Sequence, residues 1–253
     1  EPNSGHADGS TVANSFIGAA RDLGVDIRVG PEVLCVTSEG GRVTGVETSE
    51  GVISAGTVVV EAGFRTSALL APLGVDLPIT PVRHAISVVE RTPDFGDIHP
   101  VVSDRVARAY YRPERGTLAL LGEHDPLKGP VDDEVEAAKP PQLDEEITLM
   151  ERFARRFPGQ ELASKMQGYT GVYDCSPDFQ PAFGRVQAVD GLFVGAGFSG
   201  HGFKLSPGIG KIMSDLVVDG ATDMIDVHPF RVERFAENDL LLGGEGYSNR
   251  SLA

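Results

Sequence analysis

Residues 195–210 read GAGFSGHGFKLSPGIG. Six of these sixteen residues are glycine, and His201 and Lys204 stand among them. The apolar run ahead of them predicts a short strand over 192–194. Ser206 and Pro207 predict the cap and first turn of a helix over 207–218 that stops at Gly220. Strand, glycine-rich turn and helix together form many anion and dinucleotide sites. Bare backbone approaches the ligand there, and the helix start offers unpaired N–H groups with partial positive charge. Gly195, Gly197 and Gly200 satisfy G-x-G-x-x-G, but no βαβ unit with a ribose-binding acid follows them. The spacing alone therefore also fits a tight turn with no ligand.

Around this stretch the chain has 253 residues, enough for one large domain or two small ones, and 41% of them are apolar. Its net charge, 22 − 37 = −15, argues against a nucleic-acid partner, which needs a basic face. Cys35 and Cys175 lie outside any CxxC pattern, so no metal site, redox pair or disulfide framework is expected. No apolar run has the length of a membrane span. The start, EPNSGHADGS, lacks the basic and apolar regions of a signal peptide, and the expected location is cytoplasmic.

Ser10 is expected to cap a helix over 11–23, with Val12, Phe16, Ile17, Ala20 and Leu23 on one face and Gly24 as its stop. Short strands follow over 25–29, 32–38 and 42–49, the last two joined at Gly40-Gly41. VIS (52–54) and TVVV (57–60) are further strands, and a helix over 65–71 comes next. From Pro78 the texture changes: strands over 82–90, 106–112 and 117–123 belong to a second sheet. A helix over 143–157 carries acids in its first turn and Arg155-Arg156 in its last, as the helix dipole favours. A strand over 165–174 leads back to the glycine stretch. The expected fold class is α/β (mixed α+β), one domain interrupted by another, with segments 1–76, 77–164 and 165–253.

FSGHGFKLSPGIG, with GLFVGAG just ahead, resembles the C-terminal signature of the FAD-dependent D-amino-acid oxidase superfamily, in its monomeric sarcosine oxidase and N-methyl amino acid oxidase branch. Residues 5–33, 57–70 (TVVVEAGFRTSALL) and 226–235 (DVHPFRVERF) resemble other parts of that family in the same order. The resemblance implies a Rossmann-like FAD-binding domain interrupted by an antiparallel or mixed β-sheet substrate domain. It implies FAD contacts at Val33, Ala62, Gly63, Gly195, Gly197, Phe198, Gly200, His201, Gly202, Phe203 and Lys204. The glycines would lie against the flavin ring, and Lys204 would hold a substrate carboxylate. YYRPERGTLALLGEH (110–124) resembles the family's substrate hairpin, with Tyr110 or Tyr111 lining the pocket and His124 near the substrate. The implied catalytic set is Lys204, His124, Tyr111 and His201. Glu61, Phe64 and Arg65 depart from the family pattern at that turn, and Gly171, not Cys175, falls nearest the family's covalent attachment position.

The family's first βαβ unit has no counterpart here. The expectation is therefore a C-terminal part or subunit that exposes apolar surface to a second chain carrying the N-terminal FAD-binding half. The substrate would be a small amine or amino acid, with oxygen or another acceptor taking the electrons. A non-catalytic scaffold, or a flavin enzyme acting on a hydroxy acid or glycerol 3-phosphate, stays open at this point.

Overall fold

The computed structural model describes residues 5–96, 99–123, 131 and 139–242. They form two compact units. One is built from residues up to Pro78 with Pro181–Ala196 and His201–Asp239. The other is built from described residues of Ile79–Gln180, Gly197–Gly200 and 240–242.

The first unit opens with helix α1, Gly9–Asp22. Its cap is Asp8, not Ser10: the Asp8 carboxylate accepts the Thr11 N–H at 2.8 Å, and Ser10 lies inside the helix. Residues 25–29, expected as a strand, are extended chain without strand pairing, and Val25 and Val29 are exposed. β1 (Val33–Glu39), β2 (Arg42–Thr48) and β3 (Gly51–Ser54) form an antiparallel meander. Gly40 and Gly41, with φ of 58° and 79°, make the two-residue turn that sets Glu39 opposite Arg42. β4 (Val58–Val60) pairs in parallel with β12 (Leu192–Ala196), which pairs antiparallel with β11 (Ala182–Arg185). Every residue of β12 is buried, so its sequence is continuously apolar instead of alternating. The short helix α2 (Thr66–Leu70) follows β4.

The long C-terminal helix, α4, spans Gly202–Val218 and packs Ile212, Met213 and Leu216 against Phe183 and Phe193. It begins five residues before the expected start. Pro207 sits inside it and has no N–H to give to the Phe203 carbonyl; the Ser206 hydroxyl donates to that carbonyl instead, at 2.9 Å. Ser206 is therefore a repair of the first turns, not the cap.

In the second unit, β5 (Thr80–Glu90), β6 (Val102–Asp104), β7 (Ala109–Pro113), β8 (Leu118–Glu123) and β10 (Tyr169–Cys175) form a sheet of order β10-β5-β8-β7-β6. The short β9 (Ser164–Lys165) pairs with β5. β10 runs antiparallel to β5 from Tyr169 opposite Ile86 to Cys175 opposite Thr80. Residues 165–180 thus belong to this unit, not to the segment expected to begin at 165. One face of the sheet, with Val89, Ala109, Tyr111, Ala119 and Leu121, packs on Leu149 and Phe153 of α3 (Leu143–Arg156). The guanidinium of Arg83 on β5 grips both oxygens of Glu145 on α3, at 2.9 and 3.2 Å, and both side chains are largely buried. The opposite face follows from the register: Tyr169 opposite Ile86, Ile86 opposite Gly122, and Gly122 opposite Tyr110 place all four on one side.

Candidate functional site

In the first unit, the parallel pairing of β4 and β12 sets the end of β4, Glu61-Ala62-Gly63, beside Gly195. A Cβ on Gly195 would stand 2.7 Å from Glu61 Oε1. The Ala62 N–H donates to the buried Thr66 hydroxyl at 3.1 Å, which fixes the turn, and Gly63 (φ 56°) faces open space. Val33 is the first residue of β1, 41% exposed, and β1 pairs only with β2 among the described residues.

In the second unit, Gly197–Gly200 turns along the end of β10. The Gly197 N–H donates to Asp174 Oδ2 at 2.8 Å, the Ser199 N–H to the Asp174 carbonyl at 3.2 Å, and the Ser176 N–H to the Ser199 hydroxyl at 3.2 Å. Cys175 bridges to Phe198 across the same edge. Gly197 and Gly200 have φ of 72° and 85°. A Cβ on Gly197 would meet Ile79 at 2.9 Å and Ser176 at 3.1 Å; on Gly200 it would meet the Tyr173 ring at 2.8 Å. At these two glycines a close approach that demands glycine is made by the chain's own side chains.

The start of α4 carries His201 at its N-cap position, 8% exposed and making no side-chain capping hydrogen bond. Gly202, Phe203 and Lys204 form the first turn, with Phe203 51% exposed and Lys204 exposed. No acid lies in that turn. A helix start bears partial positive charge and unpaired N–H groups, so a lysine without a capping acceptor is unfavourable there unless an anion is bound.

The two tyrosines of β7 face opposite ways. Tyr111 is fully buried against Phe153 and Phe157, at ring distances of 5.5 and 5.4 Å, and its hydroxyl has no hydrogen-bond partner among the described residues. Its expected place in a pocket is therefore corrected, because strand alternation sends it into the core. Tyr110 lies on the other face, where its ring covers Gly122 so closely that a Cβ there would be 2.1 Å away. Tyr110 and Tyr173 hydrogen-bond through their hydroxyls, and burial raises both phenols above their ordinary acidity range. His84, 2% exposed, stacks on Tyr173 with ring centres 3.9 Å apart. His84, Tyr173 and Asp174 were not anticipated as site residues. The signal for the first two was the period-2 spacing of β10 and β5, which needs the register to be interpreted. His124 lies outside the described residues.

Cys175 is 5% exposed, and burial pushes its thiol up to about 11. Gly171, half-buried on the tyrosine face, has open space where a side chain would stand. No helix among the described residues is long and apolar enough to cross a membrane. The donor set fits a flavin: an uncapped helix start with Lys204 suits the ring edge that gains negative charge on reduction, and Ala62-Gly63 and Val33 present accessible backbone.

Residues 1–216 match the family described as FAD dependent oxidoreductase, DAO. The D-amino acid dehydrogenase of Cereibacter sphaeroides is 34% identical over 220 residues, which cover 87% of this chain and 48% of that protein. The D-amino acid dehydrogenase of Xanthobacter autotrophicus is 32% identical, covering 85% and 49%. The chain thus spans about half the length of the curated relatives it matches. Among solved structures, L-proline dehydrogenase from P. horikoshii superposes with a TM-score of 0.80 at 24% identity, over 90% of this chain and 60% of that one. Glycine oxidase from Geobacillus kaustophilus gives 0.74 at 25%, over 88% and 57%. Family match, sequence identity and fold agree: this chain belongs to the DAO family of FAD-dependent oxidoreductases.

Proposed function

We propose that this chain is the C-terminal part of a FAD-dependent enzyme that oxidises the C–N bond of a small amino acid, with N-methyl amino acids such as sarcosine as the preferred substrates. The observation that carries this reading is the start of α4, where an uncapped helix terminus with Lys204 in its first turn awaits an anion. Bound FAD supplies the two-electron acceptor. Lys204 holds the substrate carboxylate as a point charge and so orients the carbon that gives up hydride. The N–H groups of Gly202 and Phe203 stabilise negative charge at the ring edge, and His201 supports that turn from its buried position. Within the second unit, Tyr110, in place of Tyr111, shares one sheet face with Tyr173 and His84. Their phenols stay protonated and act as hydrogen-bond donors.

The FAD phosphates are held by a βαβ unit on another part of the polypeptide or on a second chain. α1, which buries none of its residues, and the exposed Phe16, Val33 and Val59 of the first unit receive it. The final electron acceptor would be oxygen or another oxidant.

The test is anaerobic titration of the full-length protein, loaded with FAD, with sarcosine, glycine, D-alanine and L-proline while the visible flavin absorbance is followed. Loss of the flavin bands with one of these supports the reading. A protein that binds FAD but is reduced by none of them, and instead by glycerol 3-phosphate or a hydroxy acid, overturns the substrate class; one that takes up no FAD overturns the reading as a whole.

A further inference from the structure

Backbone N–H groups of the glycine turn need an acceptor, because Gly197 and Ser199 are buried. The turn Gly197-Phe198-Ser199 has left-handed backbone at its first and third residues, φ 72° and 50°. That geometry points successive N–H groups inward and makes an anion-binding nest. An internal carboxylate already occupies the nest. Asp174, at the end of β10, takes the Gly197 N–H on its carboxylate at 2.8 Å and the Ser199 N–H on its backbone carbonyl at 3.2 Å. Its neighbour Tyr173 presses its ring on the Cα of Gly200, so two consecutive residues of one strand hold both ends of the turn.

We propose that Asp174 is a positioning residue: its carboxylate is the acceptor that locks Gly197 at the start of the turn, beside the backbone carbonyl that holds Ser199, and it closes the turn to outside anions. With the Gly197 and Ser199 N–H groups held from within, a substrate or cofactor anion is left to the start of α4. The role is that of an acceptor, not of a charge. An amide side chain, which keeps one oxygen in place, fills it nearly as well; a methyl group does not. The bearing of this lock on catalysis rests on the function proposed above, whereas the lock itself does not.

Amide hydrogen exchange of Gly197 in the full-length protein tests it. Asp174→Ala leaves the Gly197 N–H without its acceptor and keeps the carbonyl that holds the Ser199 N–H, so exchange at Gly197 should quicken by about 10–100-fold. Sodium formate, a free carboxylate small enough for the vacated space, should slow it again toward the wild-type rate. Asp174→Asn should stay within about threefold of wild type. Alanine-variant exchange within threefold of wild type overturns the proposal, as does accelerated exchange that formate leaves unchanged. Where Asp174→Ala fails to fold, Asp174→Asn decides alone: tenfold faster exchange in that variant overturns the acceptor role. In the FAD-loaded protein the alanine variant should bind FAD at least tenfold more weakly, with formate restoring affinity. A wild-type protein that takes up no FAD sinks the proposed function and leaves the exchange result standing.

Discussion

Replacing Gly200 by alanine probes the contact that holds the glycine turn to the tyrosine face. The native φ of 85° lies in the left-handed region, where a Cβ costs about 1–2 kcal/mol. The new methyl would stand 2.8, 3.1 and 3.2 Å from three atoms of the Tyr173 ring. That ring has little room to retreat, since it is stacked on buried His84 and its hydroxyl is tied to Tyr110. Overpacking of this kind costs about 1–3 kcal/mol. The sum, about 2–5 kcal/mol, is separable by a cycle with Tyr173→Ala, which removes the clash and leaves the backbone strain. The chain has no tryptophan, so near-ultraviolet circular dichroism during urea unfolding reports on its tyrosines directly. A Gly200→Ala variant within about 0.5 kcal/mol of wild type would refute the reasoning. Strict additivity with Tyr173→Ala would refute the contact and leave only the strain.

Three further outcomes follow from the geometry. Lys204→Glu should stabilise the flavin-free protein by about 0.3–1 kcal/mol in urea unfolding, because an acid suits the helix start, and should abolish preference for carboxylate-bearing substrates over simple amines. Burial raises the Asp174 carboxyl above its ordinary range, so its stabilising share is complete below the unfolded value of 3.8 and is lost as pH rises through the raised folded value. Urea midpoints should therefore move in favour of Asp174→Asn over wild type as pH climbs from 4 toward 7. Arg83→Met, which takes the guanidinium from Glu145 and leaves its carboxylate the Gln142 N–H, should cost about 1.5–3 kcal/mol by denaturant titration.

The sheets were legible because their cues are local: Gly40-Gly41 fixed one hairpin, and the apolar run of β12 marked a strand buried on both faces. What needed coordinates was partnership. VDIRV has the alternation of a half-buried strand, yet residues 25–29 have no pairing strand among the described residues. Ser10 and Asp8 are both competent caps, and only the chain's entry angle chooses Asp8. The YY dipeptide guaranteed one inward and one outward ring, but which was which depended on the side of the sheet that α3 covers. The glycine loop was recognisable as special, but not the packing around it. Its glycines answer to Glu61, Ile79, Ser176 and Tyr173, residues 21 to 134 positions away along the chain, and no short-range pattern encodes such contacts.

The two long packed helices of this chain obey different rules, and the difference bears on function. In α3 the first turn holds Asp144, Glu145 and Glu146, the last turn holds Arg155 and Arg156, and the Glu145 carboxylate reaches back to the Gln142 N–H at 2.7 Å. Each choice lowers the helix's own free energy. In α4 the same choices are reversed or absent: no side-chain capping bond from His201, no acid in the first turn, a lysine in its place, no cation in the last turn, and a proline inside. Poor local design does not explain this, because the same helix buries Ile212, Met213 and Leu216 well and backs Phe203 with the Ser206 hydroxyl. Apart from the last turn, which lacks a cation, the departures lie in the first two turns, at the end that carries Gly202, Phe203 and Lys204. A chain that follows the stabilising pattern elsewhere and gives it up at a single helix start keeps that start ready for a negative charge it does not itself supply.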